Sequence, residues 1–166
     1  MFGIPNAPLG FHVAPMDCLM ENATGGAVTK GDVVALKGVD AAADAIGTTF
    51  KRVKLPVDAV NDNIDENELG IFGVALEDCA NDATAQFRVR FQGVVEAKIE
   101  GTPDKGAALG VSLDTTGKLK AVALNDKVFA FYIGIDSTGA YEAAADDEVV
   151  RVLFDGINGF GMDNAT

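Results

Sequence analysis

The central segment of the chain, residues 69–95, has a side-chain pattern that predicts a β-hairpin. Within it Phe87, Val89 and Phe91 alternate with charged or polar residues. A period of two places the apolar side chains on one face, as in a half-buried strand. A glycine-bounded apolar run, residues 70–76, precedes this strand across the acidic connection 77–83. The segment therefore predicts two strands joined by an acidic turn.

A second segment with the same order of features, residues 133–157, follows near the C-terminus. When Gly93 is set on Gly156, an offset of 63 residues, the run 87–93 lies over 150–156. A two-residue adjustment in the turn also sets Gly73 on Gly134. We interpret the pair as a weak internal repeat. The alternative is that two unrelated hairpins with glycine ends share these features.

Short strand-like segments and glycine-rich turns continue through most of the chain, which holds 19 Gly among 166 residues. Residues 50–57 predict an edge strand, because alternating charges and Pro56 suit a sheet edge. Residues 127–135 form a nearly continuous apolar run, which predicts a strand buried on both faces. The predicted fold class is all-β: a small β-barrel or sandwich of about eight to ten short strands with an extended N-terminal arm.

Residues 1–29 differ from the rest and predict an extended, apolar, proline-rich arm. Pro5, Pro8 and Pro15 lie in its first half, and proline excludes a regular helix or a central strand. The arm is too apolar for a typical disordered tail, so we expect it to lie on the chain's own body or on a neighbouring molecule. Residues 30–157 form the predicted β-barrel-like body, and residues 158–166 form a C-terminal tail.

The net charge of −12 disfavours two classes of partner. Nucleic-acid recognition relies on a positive footprint, and so does attraction to an anionic membrane surface. No apolar run approaches the roughly 20 residues of a membrane helix. The N-terminus lacks the basic region of a signal peptide, since the first Lys or Arg is Lys30. We expect a protein made in the cytoplasm, with no nucleic acid and no membrane among its partners.

The sequence predicts no enzyme, no cofactor and no metal site. The acidic run 61–68 lacks the glycine and glutamate positions of a calcium-binding loop, so a solvated loop is the preferred interpretation. Cys18 and Cys79 have no zinc-type spacing; free thiols are preferred over a disulfide, which the sequence leaves open. His12 is the single histidine, and Ser112 and Ser137 lie in no nucleophile motif.

Several short motifs occur in a consistent order. The first set is Gly31-Asp-Val-Val-Ala-Leu, then Phe72-Gly-Val-Ala-Leu-Glu-Asp, then residues 87–95, which end in Gln-Gly-Val-Val. A second set follows at 106–111, 118–124, 133–135 and 148–154. In this order and spacing, over residues 31–157, the sequence resembles the small capsid cement, or decoration, proteins of tailed bacteriophages.

The resemblance implies a β-barrel-like body that forms a homotrimer on the outer surface of the virion capsid. It implies binding to the major capsid protein, where hexamers and pentamers meet, and stabilisation of the shell. The family is not known as catalytic, so no catalytic residue carries over. Our hypothesis is that the arm and the tail contact the capsid or a neighbouring subunit. The predicted contact residues are Phe2, Ile4, Pro5, Leu9, Phe11, Val13, Met16 and Phe160.

Two other functions are alternatives to this prediction. One is a different structural component of a phage head or tail, which would share the β-rich composition. The other is a ligand- or carbohydrate-binding β-domain. The absence of Trp and the presence of only Tyr132 and Tyr141 disfavour the second, because sugar sites favour aromatic stacking platforms.

Overall fold

The computed structural model describes residues 15–37, 52–56, 68–112, 117–122, 127–136 and 144–160. These residues form nine strands and no helix, so the all-β prediction is confirmed. The described segments therefore contain no helix that is long and apolar enough to cross a membrane. The strands are β1 (Met16–Asn22), β2 (Val33–Lys37), β3 (Arg52–Lys54), β4 (Glu68–Ala75), β5 (Gln86–Glu100), β6 (Ala108–Val111), β7 (Leu119–Ala121), β8 (Ala130–Asp136) and β9 (Val149–Asp155).

One continuous sheet closes on itself twice. Its strand order is β1-β3-β2-β4-β5-β7-β6-β8-β9, with additional β1–β5 and β5–β9 pairings. The β1–β5 pairing closes the strands from β1 to β5 into a five-stranded barrel, and the β5–β9 pairing closes those from β5 to β9 into another. We call these the first and the second barrel. The 15-residue strand β5 belongs to both.

The two barrels have the same topology. Each contains one parallel pair, β1–β3 in the first and β5–β7 in the second. The remaining pairs in both are antiparallel. Strands β1, β2, β3, β4 and the first half of β5 therefore correspond to the second half of β5, β6, β7, β8 and β9. Two equivalent units follow each other along the chain and overlap on β5.

The pairing registers show which residues of the two units correspond. In the first barrel Arg88 pairs with Leu19. In the second barrel Arg151, which lies 63 residues later in the sequence, pairs with Glu96. Leu19 of β1 and Glu96 of β5 therefore take equivalent positions, and β9 aligns with β5 at the same offset as in the sequence comparison.

The strand before each hairpin aligns differently from the sequence prediction. Val74 of β4 pairs with Arg90, and Phe131 of β8 pairs with Leu153. Since Arg90 and Leu153 are equivalent, Val74 corresponds to Phe131. The alignment of Gly73 with Gly134 is therefore wrong, because Gly73 corresponds to Ala130 by the same register, whereas Gly134 lies in a bulge of β8 between Tyr132 and Ile135.

Two hydrophobic clusters fill the barrels. The first barrel encloses Met20, Val28, Val34, Leu36, Val53, Ala75, Cys79, Phe87, Val89 and Phe91. The second encloses a cluster that includes Val95, Ala97, Ile99, Leu109, Leu119, Tyr132, Val150, Val152 and Phe154. This second cluster also takes in side chains from the outer faces of β2 and β4, namely Val33, Ala35, Phe72 and Val74. The outer face of the first barrel therefore packs onto the second, which makes the described residues one folded body.

The segment predicted as an arm divides at Pro15. Residues 16–22 form β1, which pairs with β5 on one side and β3 on the other, so they belong to the body. Val28 is buried and bridges to Cys79. Proline is tolerated immediately before a strand because it removes no ladder hydrogen bond there. Residues 1–14 lie outside the described residues, and for them the arm stays a prediction.

Two predictions about strand burial are wrong. The predicted edge strand, β3, pairs with both β1 and β2 and lies inside the closed first barrel, where no edge remains. The strand predicted to be buried on both faces, β8, exposes Phe131 by 36% and Ile133 by 41%. Among the described residues, Phe160 packs on Phe131 and covers this apolar outer face of β8 only in part.

Gly156, at the end of β9, allows the two barrels to approach closely. Its N–H donates to the Phe91 carbonyl at 2.9 Å, and its own carbonyl accepts from the Phe72 N–H at 2.8 Å. A Cβ at this position would lie 1.9 Å from the Phe72 oxygen. We expect Gly156→Ala to lower the free energy of unfolding by about 3 kcal/mol, at the upper end of overpacking costs, as measured by denaturant titration.

Gly26→Ala is the matched control, because a Cβ there meets nothing within 4 Å. Its free energy of unfolding should stay within about 0.5 kcal/mol of wild type. A Gly156→Ala protein as stable as this control would contradict the close approach.

Candidate interaction surfaces

An apolar groove with a volume of about 260 Å³ lies beside β1 on the first barrel. Its most exposed side chains are Met16, at 43%, and Leu19, at 58%. We call it the β1 groove, and it is lined by Met16, Cys18, Leu19, Met20, Leu36, Ile71, Phe91 and Ile157. Contiguous apolar surface on a strongly charged protein favours an interaction site.

An ion pair holds the start of β1 against β5. Arg90 donates from Nε and Nη2 to the two carboxylate oxygens of Asp17, at 2.6 and 2.8 Å, and from Nη1 to the Val94 carbonyl at 2.8 Å. The hydrogen bond from Arg90 lowers the pKa of Asp17 and outweighs burial, which raises it. The same bond raises the pKa of Arg90. This bidentate pair fixes the strand whose side chains line the β1 groove.

The second barrel presents a different apolar surface, on the outside of β8. The ring of Phe131 packs against that of Phe160, with 5.0 Å between centroids and 59° between planes. The Phe160 N–H donates to the Val128 carbonyl at 2.8 Å, which anchors the residue beside the barrel. We call the surface formed by Phe131, Ile133 and Phe160 the β8 face.

Charged side chains join the two barrels at the turn before β2. Lys98 Nζ lies 2.6 Å from Asp32 Oδ1, and Lys30 Nζ lies 2.7 Å from Glu96 Oε2. The Lys98 N–H also donates to the Gly31 carbonyl at 2.9 Å. The turn therefore attaches the first barrel to the part of β5 that belongs to the second.

The arginines on the outer faces of β5 and β9 have carboxylate partners. Arg88 Nη2 lies 3.4 Å from Glu77 Oε2, and Arg151 Nε lies 3.9 Å from Glu96 Oε1. Hydrogen bonds from Arg88 lower the pKa of Glu77. Pairs as exposed as these contribute little to stability, so they form a solvated face.

The structure places two of the predicted contact residues on different surfaces. Met16 lines the β1 groove, and Phe160 belongs to the β8 face. The other predicted contacts lie outside the described residues, and their role stays a prediction: Phe2, Ile4, Pro5, Leu9, Phe11 and Val13.

The described cysteines and serine are buried or partly buried in the fold. Cys18 and Cys79 are both free thiols, and burial raises the pKa of Cys79. Ser112 is buried, and its hydroxyl donates to the Glu100 carboxylate. No group of three or more His, Cys, Asp or Glu side chains in the described segments could hold a metal ion. His12 and residues 61–67 of the acidic run lie outside these segments.

Sequence reasoning missed Leu19, Phe131 and Ile133 as surface residues. The sequence does contain a signal for Phe131 and Ile133. A continuous apolar run predicts that both faces of its strand are buried, so a face left exposed in the structure is a candidate contact surface. Leu19 lies in a segment with no clear period, so its sequence context does not separate it from a core residue.

Comparison with known proteins gives a match at the level of the fold. No protein-family model matches the chain, and no curated protein matches it. Among solved structures, the chain is similar to the N base of head fiber gp8.5 in bacteriophage phi29, with a TM-score of 0.50 and 13% sequence identity. The match covers 85% of this chain and 94% of that chain. At this identity the similarity establishes a shared fold.

The lowered pKa of Asp17 makes the stability of the first barrel depend on pH. The ion pair with Arg90 contributes fully above the unfolded pKa near 3.8 and is lost as pH falls through the lower folded value. We expect Asp17→Asn to lower the free energy of unfolding at neutral pH, with the difference from wild type closing as the pH falls below 3.8. Denaturant titrations from neutral pH to about pH 3 measure this difference.

Arg90→Gln supplies the matched variant, because it removes the other half of the same pair. It should reduce the pH dependence in the same window, and the double variant should reduce it no further than either single variant. A difference between Asp17→Asn and wild type that stays constant with pH would show that the carboxylate charge contributes nothing.

Proposed function

We propose that the protein is a structural component of a tailed-bacteriophage head that binds the outer surface of the assembled capsid as an oligomer and stabilises the shell. Its partners are the major capsid protein and further copies of the chain. The oligomer implied by the sequence resemblance is a homotrimer. The protein is made in the host cytoplasm and ends in the virion.

The observation that carries this proposal is the agreement of two separate likenesses. The motifs on β2, β4 and β5 resemble those of phage capsid cement proteins. The fold is similar to the base of a phage head fiber over 94% of that chain. One likeness depends on short sequence motifs and the other on backbone geometry, and both lead to proteins of a phage head.

The surface of the barrels suits attachment through side chains. In the nine described strands, ring closure leaves little free sheet edge for a partner strand, so we expect binding to use apolar side-chain surfaces such as the β1 groove and the β8 face. Each Å² of apolar area buried contributes about 25 cal/mol. Several weak contacts made by one oligomer give a stable attachment, because each contact raises the effective concentration of the next.

The acidic charge also suits a protein on the outside of a shell that contains nucleic acid. A net charge of −12 disfavours non-specific binding to polyanions. Such a protein stays available for the capsid surface during assembly in a cell rich in nucleic acid. The charge also keeps the unassembled protein soluble.

A second candidate function is a base that carries a further fibre on the capsid. The similarity to the N base of a head fiber favours it. Shell stability separates the two candidates. A cement protein raises the temperature at which shells lose their integrity, whereas a base binds the shells without that effect.

The N-terminal segment provides the test of capsid binding. We expect the full chain to bind shells of the phage that encodes it until the sites are saturated. Deleting residues 2–14 should abolish binding, because it removes most of the predicted contact side chains while retaining all of β1. Co-sedimentation with purified shells measures binding, and thermal unfolding of the free protein should show an intact body.

A chain in which residues 2–14 are replaced by a Gly/Ser segment of equal length is the control. It separates the apolar contacts from the length of the segment, and it should also fail to bind. A truncated chain that saturates shells as the full chain does would disprove the role of the arm.

A further inference from the structure

The first barrel docks on the second, and the described residues contain no further barrel on which the second could dock in the same way. The first unit supplies the turn before β2 and the outer faces of β2 and β4. The second unit receives them with the edge of β5 and with its own hydrophobic cluster. The Lys98 N–H donates to the Gly31 carbonyl, and the Phe72 ring packs edge-on against Phe129 with 4.9 Å between centroids.

The turn that makes this contact has an equivalent in the second unit. In the first unit the Gly31 N–H donates to the Ala75 carbonyl at 2.9 Å, and in the second the Gly106 N–H donates to the Tyr132 carbonyl at 2.8 Å. Both glycines have a positive φ, 91° at Gly31 and 79° at Gly106. The turn 29–32 and the turn 104–107 therefore share one backbone structure.

The surroundings of these two turns differ. Gly31 is buried against the second barrel, whereas Gly106 is exposed. Val74 of β4 is 0% exposed, whereas its equivalent Phe131 of β8 is 36% exposed. Among the described residues, the turn and the Phe131 position of the docking surface are thus uncovered on the second unit, whereas Phe129, the equivalent of Phe72, is buried.

The β1 groove is the equivalent of the site where the second unit receives the first. By register, Cys18 and Met20 of β1 take the positions of Val95 and Ala97 of β5. Val95 and Ala97 belong to the cluster that takes up the outer face of the first barrel. In the first unit the same positions line an open groove.

We propose that copies of this chain associate head to tail. The turn 104–107 and the β8 face of one copy dock in the β1 groove of the next, as the first barrel docks on the second. This inference rests on the oligomer of the proposed function and names the surfaces that form it. It also buries the outer face of β8, which the apolar run 127–135 predicts to be buried.

Charged residues beside the two surfaces complement each other. Within the chain, Lys30 on the docking turn pairs with Glu96 on the β5 edge. Between copies, Lys105 takes the position of Lys30. Glu21 lies on the β1 edge, two residues beyond the position equivalent to Glu96. Glu21 pairs with Arg52 within the chain, with 3.3 Å between Oε2 and Nε, so Lys105 would join an existing ion pair there.

The two surfaces are different, so the contact is heterologous. A heterologous contact closes into a ring when the rotation between copies allows it and otherwise extends into an open chain. It also has a property that a symmetric contact lacks: each surface can be blocked independently.

Two variants, each blocking one surface, test the proposal. Leu19→Lys places a positive charge in the β1 groove, where the equivalence of Leu19 with Glu96 sets it against Lys105 of the next copy, and Phe131→Glu places a charge on the β8 face. Both side chains are exposed enough to avoid burying a charge inside a barrel. By light scattering, we expect wild type to form an oligomer and each variant to be a monomer. An equimolar mixture of the two variants should form a dimer and nothing larger, because it holds one intact surface of each kind.

Val94→Glu is the matched control, because Val94 is 50% exposed and lies on neither surface. It should keep the oligomeric state of wild type. Thermal unfolding verifies that each variant is folded, and Ile133→Glu replaces Phe131→Glu if that variant is not. A monomeric wild type, a variant that still forms oligomers, a control that dissociates, or a mixture that stays monomeric would each overturn the proposal.

Shell binding by the same proteins separates this inference from the proposed function. A monomeric wild type that still saturates shells would remove the head-to-tail contact and leave the capsid role intact. Proteins that associate and dissociate as expected but do not bind shells would support the contact and remove the capsid role.

Discussion

Backbone hydrogen bonding along β5 is the constraint on which both barrels depend. One edge of this strand pairs with β1 from Gln86 to Gln92, and the same edge pairs with β9 from Gln92 to Lys98. The change of partner takes place at Gln92, which pairs with Met16 and with Asp155. At the next residue, Gly93, φ is 113° and a Cβ would lie 3.1 Å from the Cα of Pro15. The strand can pass from one barrel to the other because the residue beside this change carries no side chain.

The same face of β5 lines both interiors. Phe87, Val89 and Phe91 fill the first barrel, and Val95 and Ala97 continue the alternation into the second. The sheet therefore curls twice toward one side, and the barrels lie one after the other along the strand.

The duplication of the unit also determines which surfaces of the chain stay exposed. A series of equivalent units joined in one way leaves a donor surface at one end and a receiving surface at the other, as in repeat proteins without capping units.

The sequence predicted strands correctly where apolar residues alternate regularly or glycines bound an apolar run. The alternation around Val89 predicted β5, and the glycine-bounded run before it predicted β4. The pattern did not predict β1, because its apolar residues follow no period and Pro15 argued against a strand. It also misplaced β3, since Pro56 and the flanking charges suit an edge in an open sheet, and ring closure removes that edge.

The candidate surfaces were less predictable than the strands, because they depend on how the two units pack. Phe131 and Val74 are both apolar residues on strands of equivalent position, yet one is partly exposed and the other fully buried. The difference arises from the neighbour each unit has, which a linear pattern does not contain. The glycine alignment failed for a similar reason, since hydrogen-bond register and a bulge set the equivalence of β4 and β8.

Charge determines where copies of such a chain assemble. Each copy carries a net charge of −12, so copies in dilute solution repel one another. Repulsion between exposed charges is screened beyond about 8 Å at physiological ionic strength, which leaves the local charges at the contact to decide its strength. Under the proposed function, a capsid that binds each copy would raise the local concentration of the others, and the shell contact and the copy-to-copy contact would reinforce each other. A copy in such a layer would leave only when both contacts break together.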